Sequence, residues 1–463
     1  MTRTARAERT RPVTRRKRVV AACAMVAMAT SGAVVAVPIV LNHATLIDGT
    51  GAAARVDTTI VIEGQRIAAV YAAGSRPDPT GAQVRDVSGR YVIPGLIDAH
   101  VHITDVEPDI AHYDAFLRAL LMGGVTGLRD MAGNARLLGY LAQRTDSGAV
   151  PGPRIDYAAL MAGPSFFEED TRVQDSAPGM LPGTVAWMRA IDARSDLPRV
   201  IAEAKGTGAT GIKVYANLSS ERVHAIAAEA HRQGLRVWTH AAVFPAGPSD
   251  AVAAGADTIS HSSYLVWEAA ARMPDDYGQR THGDFHGVHP DAPPLLALFE
   301  AMKRHGTILD ATLLAFKDLA KNHPDRVGPG ILPWSFAATR IAHQRGVRID
   351  AGTDSEGLPD DATGAPDLGA MPQVHAEMAL LVAHCGFTPL EAIHAATQVS
   401  AAAAGQSETR GTIAEGMHAD LVVLSADPLA DIRNTTKIAI VVKDGIVYER
   451  SEPVPPHAQD RMH

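Results

Sequence analysis

Val92-Ile-Pro-Gly-Leu-Ile-Asp-Ala-His-Val-His102 decides the fold. An apolar run ends in two histidines separated by one residue. On a strand, alternate side chains share a face, so His100 and His102 point the same way and their imidazoles can grip one cation. Similar apolar runs recur and close on polar residues, which predicts strands over 95–102, 125–130, 154–160, 211–215, 235–240, 257–261, 307–312 and 348–354. Helical patterns lie between them. Residues 220–234, for example, have a Ser start, helical apolar spacing and a Gly stop. Eight strand–helix repeats predict an α/β fold, a (β/α)8 TIM barrel, whose chemistry sits at the carboxyl ends of the strands. Six polar residues fall at such ends: His100, His102, Lys213, His240, His261 and Asp354.

The chain of 463 residues has room for a barrel and a smaller domain. Its net charge is −8; residues 1–36 carry eight Lys/Arg against Glu8, a contribution of +7, so the remainder stands at −15. An acidic body of that kind is a poor partner for nucleic acid. The basic start is followed by the apolar run 19–40 and a small-residue exit at Ala33-Val-Val-Ala36, the pattern of an export signal. Thr14-Arg-Arg-Lys-Arg-Val-Val20 loosely resembles a twin-arginine signal, so a secreted or periplasmic, cell-envelope location is expected. The apolar run is rich in Ala, Ser and Gly, so no stable membrane span is expected in the mature chain. Beyond that segment the one cysteine is Cys385, which excludes an intrachain disulfide there.

Short runs with Asp-Gly or Glu-Gly turns occupy residues 38–93, and similar strands return at 419–424 and 438–448. A small β-sandwich domain built from both chain ends, 37–93 plus 408–452, is therefore expected around a barrel at 94–407, with a flexible tail at 453–463. Three connections, 161–197, 264–294 and 356–371, exceed simple barrel loops and are candidates for substrate recognition. The second carries His282, His286 and His289; a solvated loop explains them better than an extra metal site, since no spacing fixes their geometry.

The chain resembles the amidohydrolase superfamily, near its imidazolonepropionase-like and Xaa-Pro dipeptidase-like group. The resemblance spans roughly 38–448 and rests on Pro94-Gly-Leu-Ile-Asp-Ala-His-Val-His102, Gly124-Val-Thr-Gly-Leu-Arg-Asp-Met131, Gly211-Ile-Lys-Val-Tyr215, Thr239-His240, Ile259-Ser-His261, Gly352-Thr-Asp354 and the tail piece 411–424. It implies that His100, His102 and Asp354 hold one divalent metal and His240 and His261 a second, with zinc the first choice. Lys213 is similar to the bridging lysine of binuclear members, which takes up carbon dioxide as a carbamate (N6-carboxylysine). A bare ammonium has no lone pair for a cation, and the carbamate supplies anionic oxygens.

The implied activity is cleavage of an amide bond in a small-molecule substrate, such as an N-acyl amino acid or dipeptide, by a hydroxide bridging the metals. Asp354 is the implied general base. A cyclic-amide or lactone hydrolase or a deaminase is the alternative, because the ligands alone do not choose the substrate. A non-catalytic barrel is disfavoured by the filled ligand set. Tyr215, Tyr264, Phe166 and His375 are candidate substrate contacts, and homo-oligomerisation is left open. Two departures stand out. Ser260-His261 replaces the Glu-His of many relatives, and Ala241-Ala-Val-Phe244 follows His240 where relatives often continue with Gly or Tyr elements; imidazolonepropionases proper lack the bridging lysine, so the presence of Lys213 favours the binuclear branch.

Overall fold

The computed structural model describes residues 2, 37–104, 110–279, 283–361 and 365–450. The expected export segment, Thr2 apart, and the tail 453–463 lie outside the described residues. From the amino end come β1 (Ile39–Leu46), β2 (Arg55–Glu63), β3 (Arg66–Ala72), β4 (Gln83–Asp86) and β5 (Tyr91–Pro94). Then follow β6 (Leu96–Val101), β7 (Val125–Asp130), β8 (Arg154–Ala162), β9 (Thr184–Val185), β10 (Met188–Ala190), β11 (Gly211–Val214) and β12 (Arg236–His240). The series ends with β13 (Thr258–Ser260), β14 (Ile308–Asp310), β15 (Ile349–Asp350), β16 (Leu421–Leu424), β17 (Ile438–Lys443) and β18 (Ile446–Glu449).

Strands β6, β7, β8 and β11–β15 are parallel neighbours in that order and form a nearly closed barrel wrapped by helices. Every residue of β6, β7 and β11 is buried, as expected where helices cover a parallel sheet. The helix Ser220–Arg232 shows why helices form between strands. Ser219 caps its first turn, and Val223, Ile226, Ala227 and Ala230 make one buried stripe. Gly234, at φ +77°, lies just beyond its end.

Strands β1–β5 and β16–β18 make a separate, largely antiparallel sheet in the order β18-β17-β16-β5-β1-β2-β3, with β4 beside β1, while β10 and β9 extend the barrel sheet from β8. The chain ends meet where β16 pairs with β5, Val422 opposite Ile93. This sheet encloses its own core, including Leu41, Ile60, Ile62, Val92, Leu421 and Val423. At the β17–β18 turn Asp444 and Gly445 both have positive φ, 51° and 74°, the geometry a two-residue Asp-Gly hairpin requires.

Several barrel strands end earlier than their apolar runs. The eighth, expected over 348–354, is β15, only Ile349–Asp350. Past it the chain turns against β6: Ala99 N–H donates to the Ala351 carbonyl (3.1 Å), and Thr353 and Asp354 N–H both donate to the His100 carbonyl (3.2 and 2.8 Å). A Cβ on Gly352 would lie 2.2 Å from Asp310 Oδ1 and 2.7 Å from His100 Cβ, so only glycine permits this approach. His261, Thr312 and Asp354 all have left-handed φ (78°, 49° and 53°), which ends the pleat at the mouth of the barrel. The 161–197 connection is also more ordered than a loop. It holds a short helix, Pro164–Glu169, and β10, which pairs with β8. Gly352→Ala is expected to cost about 1–3 kcal/mol of folding stability. Urea denaturation checks this, and an unmoved midpoint would show that the added Cβ is accommodated.

Candidate active site

The carboxyl ends of β6, β11, β12 and β13, with the turn after β15, bring the six sequence-predicted residues to one place. Asp354 Oδ1 lies 3.2 Å from His100 Nε2 and 3.2 Å from His102 Nε2, and Asp354 Oδ2 lies 3.6 Å from His261 Nδ1. The rings form a continuous series: His102 to His100 5.4 Å, His100 to His261 5.1 Å and His261 to His240 4.6 Å between centroids. Lys213 is buried beneath them. Its Nζ lies 3.5 Å from Ser260 Oγ and 5.9 Å from the centre of the Tyr215 ring.

Partners behind the imidazoles set their donor roles. His100 Nδ1 lies 2.6 Å from Asp310 Oδ2, and His240 Nδ1–H donates to the Ala242 carbonyl at 2.9 Å. Each leaves Nε2 as a lone-pair donor, the arrangement in which an outer carboxylate or carbonyl orients a metal-binding histidine. His261 Nδ1 lies 2.9 Å from Thr312 Oγ1. Asp310 is fully buried, and its Oδ2 also accepts from Arg129 Nη2 (3.1 Å) and Ser260 Oγ (2.9 Å). Thus Ser260 links Lys213 to Asp310.

Burial dominates the electrostatics. It pushes the Lys213 amine down to about 8 against the pull of Asp310 and Asp354. It drives His261 well below the ordinary imidazole value, so this ring stays neutral and keeps a lone pair. Burial alone would raise Asp354, but the imidazoles of His100, His261 and His102 against its carboxylate hold it well below the usual carboxylate range.

These residues fit divalent cations. Ligand atoms of His100, His102 and Asp354 all lie within 4.8 Å of one another, and neutral imidazoles with an ionised carboxylate are the donors such ions take. His240 and His261 supply two more imidazoles beside them.

Two adjoining cavities, of about 730 and 450 Å³, open over this cluster and share Phe166, Asp170, Arg172, Tyr215, His261 and Asp354. Phe166, Tyr215 and Tyr264 line the larger one. Tyr215 lies 5.0 Å from Phe166 and 5.1 Å from His240, and Tyr264 lies 4.4 Å from His240, ring centre to ring centre. His375 is placed elsewhere. It lines neither cavity; its Nε2–H donates to the Gly123 carbonyl (2.9 Å) and its Nδ1 meets Thr435 Oγ1 (2.8 Å), so it ties the barrel to the segment before β17. Its neighbour Glu377 accepts from Leu313 and Leu314 N–H (3.0 and 2.8 Å), holding the turn that carries Thr312. Of the three clustered histidines, His282 lies outside the described residues, and His289 pairs with Asp291 at the surface.

Sequence reasoning missed Asp310, Arg172, Asn217 and Tyr277. Asp310 had a signal, a carboxylate inside an apolar strand. The others come together only through the path of two long connections: Asn217 Oδ1 accepts from Tyr277 N–H (2.6 Å), and Tyr277 OH lies 3.3 Å from Tyr215 OH.

The Amidohydrolase family model matches residues 91–447, and the chain belongs to that family. Ochratoxinase of Aspergillus niger is 27% identical over 436 residues, covering 84% of this chain and 81% of that protein. Its crystal structure superposes with a TM-score of 0.68 at 22% identity over 91% of this chain and 97% of that one. A Xaa-Pro dipeptidase with bound methionine in its active site gives 0.68 at 22% identity over 89% and 100%, a likeness of fold. The protein is a hydrolase acting on carbon–nitrogen bonds, in a superfamily that generally uses divalent metals.

Asp310→Asn removes the anion shared by His100 and Arg129 and is expected to weaken metal affinity roughly ten- to hundredfold, measured by competition with a chelator. Undiminished affinity would mean that Asp310 does not orient His100. Burial pushes His375 from 6.5 to about 4. The unfolded chain therefore binds the extra proton first, and stability falls as pH drops from about 6.5 toward 4. His375→Gln should lessen that loss by up to about 2 kcal/mol, read from urea unfolding at pH 7 and pH 5.

Proposed function

We propose that this protein is a binuclear metal-dependent amidohydrolase that cleaves the amide bond of an N-acyl amino acid or dipeptide. The observation that carries this reading is the convergence of three imidazoles on Asp354, with a fourth, His240, beside His261 and a buried lysine close by. His100, His102 and Asp354 would hold one cation, His240 and His261 the other, and Lys213, carboxylated by carbon dioxide, would bridge them. Zinc suits this donor set best. When bound, the cations supply Lewis acidity, polarising the scissile carbonyl and acidifying water.

A buried amine pushed down to about 8 is partly unprotonated near neutrality, as reaction with carbon dioxide requires, and the low-dielectric pocket disfavours the competing ammonium. Asp354 takes the proton of the attacking water on its carboxylate and passes it to the leaving nitrogen. Its carboxylate is ionised and its backbone is pinned to the His100 carbonyl, so it meets the reacting centre in one orientation. Phe166, Tyr215 and Tyr264 flank the substrate and exclude water. The names of the relatives, an ochratoxinase and a Xaa-Pro dipeptidase, support an amide-containing substrate. We also infer that residues 1–36 direct export, which would place the reaction outside the cytoplasm.

Lys213→Ala is expected to abolish most turnover of a hydrolysed N-acyl amino acid, with partial recovery on adding a short carboxylate such as acetate or propionate. Full turnover in the variant without any additive would remove Lys213 from the chemistry.

A further inference from the structure

The cleft above the metal-ligand cluster has acidic walls and one basic side chain. Among the described residues lining the two cavities, Glu169, Asp170, Glu356 and Asp360 are acids, and Arg172 is the one Lys or Arg. Arg172 borders both cavities where they meet over Asp354 and His261. We propose that Arg172 is the anchor for the substrate's carboxylate, which makes this an enzyme for anionic amides. The proposal rests on the amide-hydrolase reading and names the part of the substrate that does not react.

Three observations carry it. First, Arg172 is held but not used up. Its Nε and Nη2 donate to Asp170 (2.9 and 2.5 Å), while Nη1 donates to no group of the described chain. The Asp170 side chain is 14% exposed and the Arg172 side chain 67%, so the pair presents its guanidinium to the cleft mouth. A guanidinium fixed along one edge keeps donors for a second carboxylate and loses little freedom on binding it.

Second, the reach is right. Arg172 Nη2 lies 3.4 Å from Tyr215 OH, and the Tyr215 ring lies 5.1 Å from the His240 ring. The guanidinium is thus one phenol away from the imidazoles, which suits a carboxylate a few bonds from the scissile carbonyl. Third, among the described residues that line the cleft no other Lys or Arg offers an anion a positive partner. Without Arg172, a substrate carboxylate would be drawn to the cations held by the His–Asp cluster and would occupy the position the carbonyl needs.

The test compares N-benzoylglycine with its carboxamide, which differ in charge and little in shape. Zinc-loaded wild type, Arg172→Met and Arg172→Lys are titrated calorimetrically and assayed for hydrolysis, with zinc content and circular dichroism showing that each variant is folded and loaded. Wild type is expected to favour the carboxylate by roughly ten- to hundredfold in Kd and kcat/KM. Arg172→Met should bring the two probes close to parity through KM, and Arg172→Lys should keep part of the preference. Parity in wild type, a preference unchanged in Arg172→Met, tighter binding of the carboxamide, or no binding of either probe overturns the proposal. Hydrolysis of both probes at parity defeats the anchor and leaves the amide-hydrolase reading standing. Arg172-dependent binding without hydrolysis does the reverse.

Discussion

The carbonyl of His100 joins fold to site. It accepts the N–H groups of both Thr353 and Asp354, and so closes the barrel between its first and eighth strands by bonds outside any regular ladder. Those bonds set Asp354 in a left-handed conformation with its carboxylate against His100 and His102. Asp98 reinforces the same seam: its carboxylate accepts the Thr353 N–H and hydroxyl (3.1 and 2.9 Å) and the His100 N–H (3.3 Å). Burial pushes Asp98 up to about 7, so this carboxyl is kept for position at an electrostatic cost. Strained backbone held by surrounding bonds is a usual feature of sites that must present one side chain in one geometry.

Below the ligands lies a buried ionic layer that a barrel core does not need for stability alone. Arg129, fully buried, donates to Asp310 and more distantly to Asp350 (3.5 Å), and stacks over Trp238 at 5.1 Å. Burial and the nearby Asp310 hold Asp350 well above the usual carboxylate value, so it stays protonated while Asp310 carries the charge. Apolar residues would fill this space at less desolvation cost. The layer makes sense as the support of the site. One anion, Asp310, orients His100 and, through Ser260, steadies Lys213.

Much of this was legible in the chain. A polar residue closing an apolar run is a local signal, and it picked out His100, His102, Lys213, His240, His261 and Asp354. β7 spans Val125–Asp130 as expected, because its apolar run has clear limits at both ends. Strands β13 and β14 stop short because His261 and Thr312 turn left-handed just past their ends, and β15 gives way where the chain turns against β6; periodicity carries no trace of either. His375, a candidate substrate contact in the chain, sits with Glu377 on the helix after the eighth strand, and both side chains fasten that helix to its surroundings. Asp310 and His100 are 210 positions apart, and Arg172 reaches the cleft along a long connection, so their roles emerge only when the chain is folded.

The central claim is that one barrel mouth holds a pair of cations among four imidazoles, Asp354 and a modified Lys213. Anomalous diffraction from zinc-loaded crystals tests it most directly. The account predicts two zinc peaks, one bonded to His100, His102 and Asp354 and one to His240 and His261, with carbamate density on Lys213 between them. A single peak beside an unmodified Lys213 amine would contradict it.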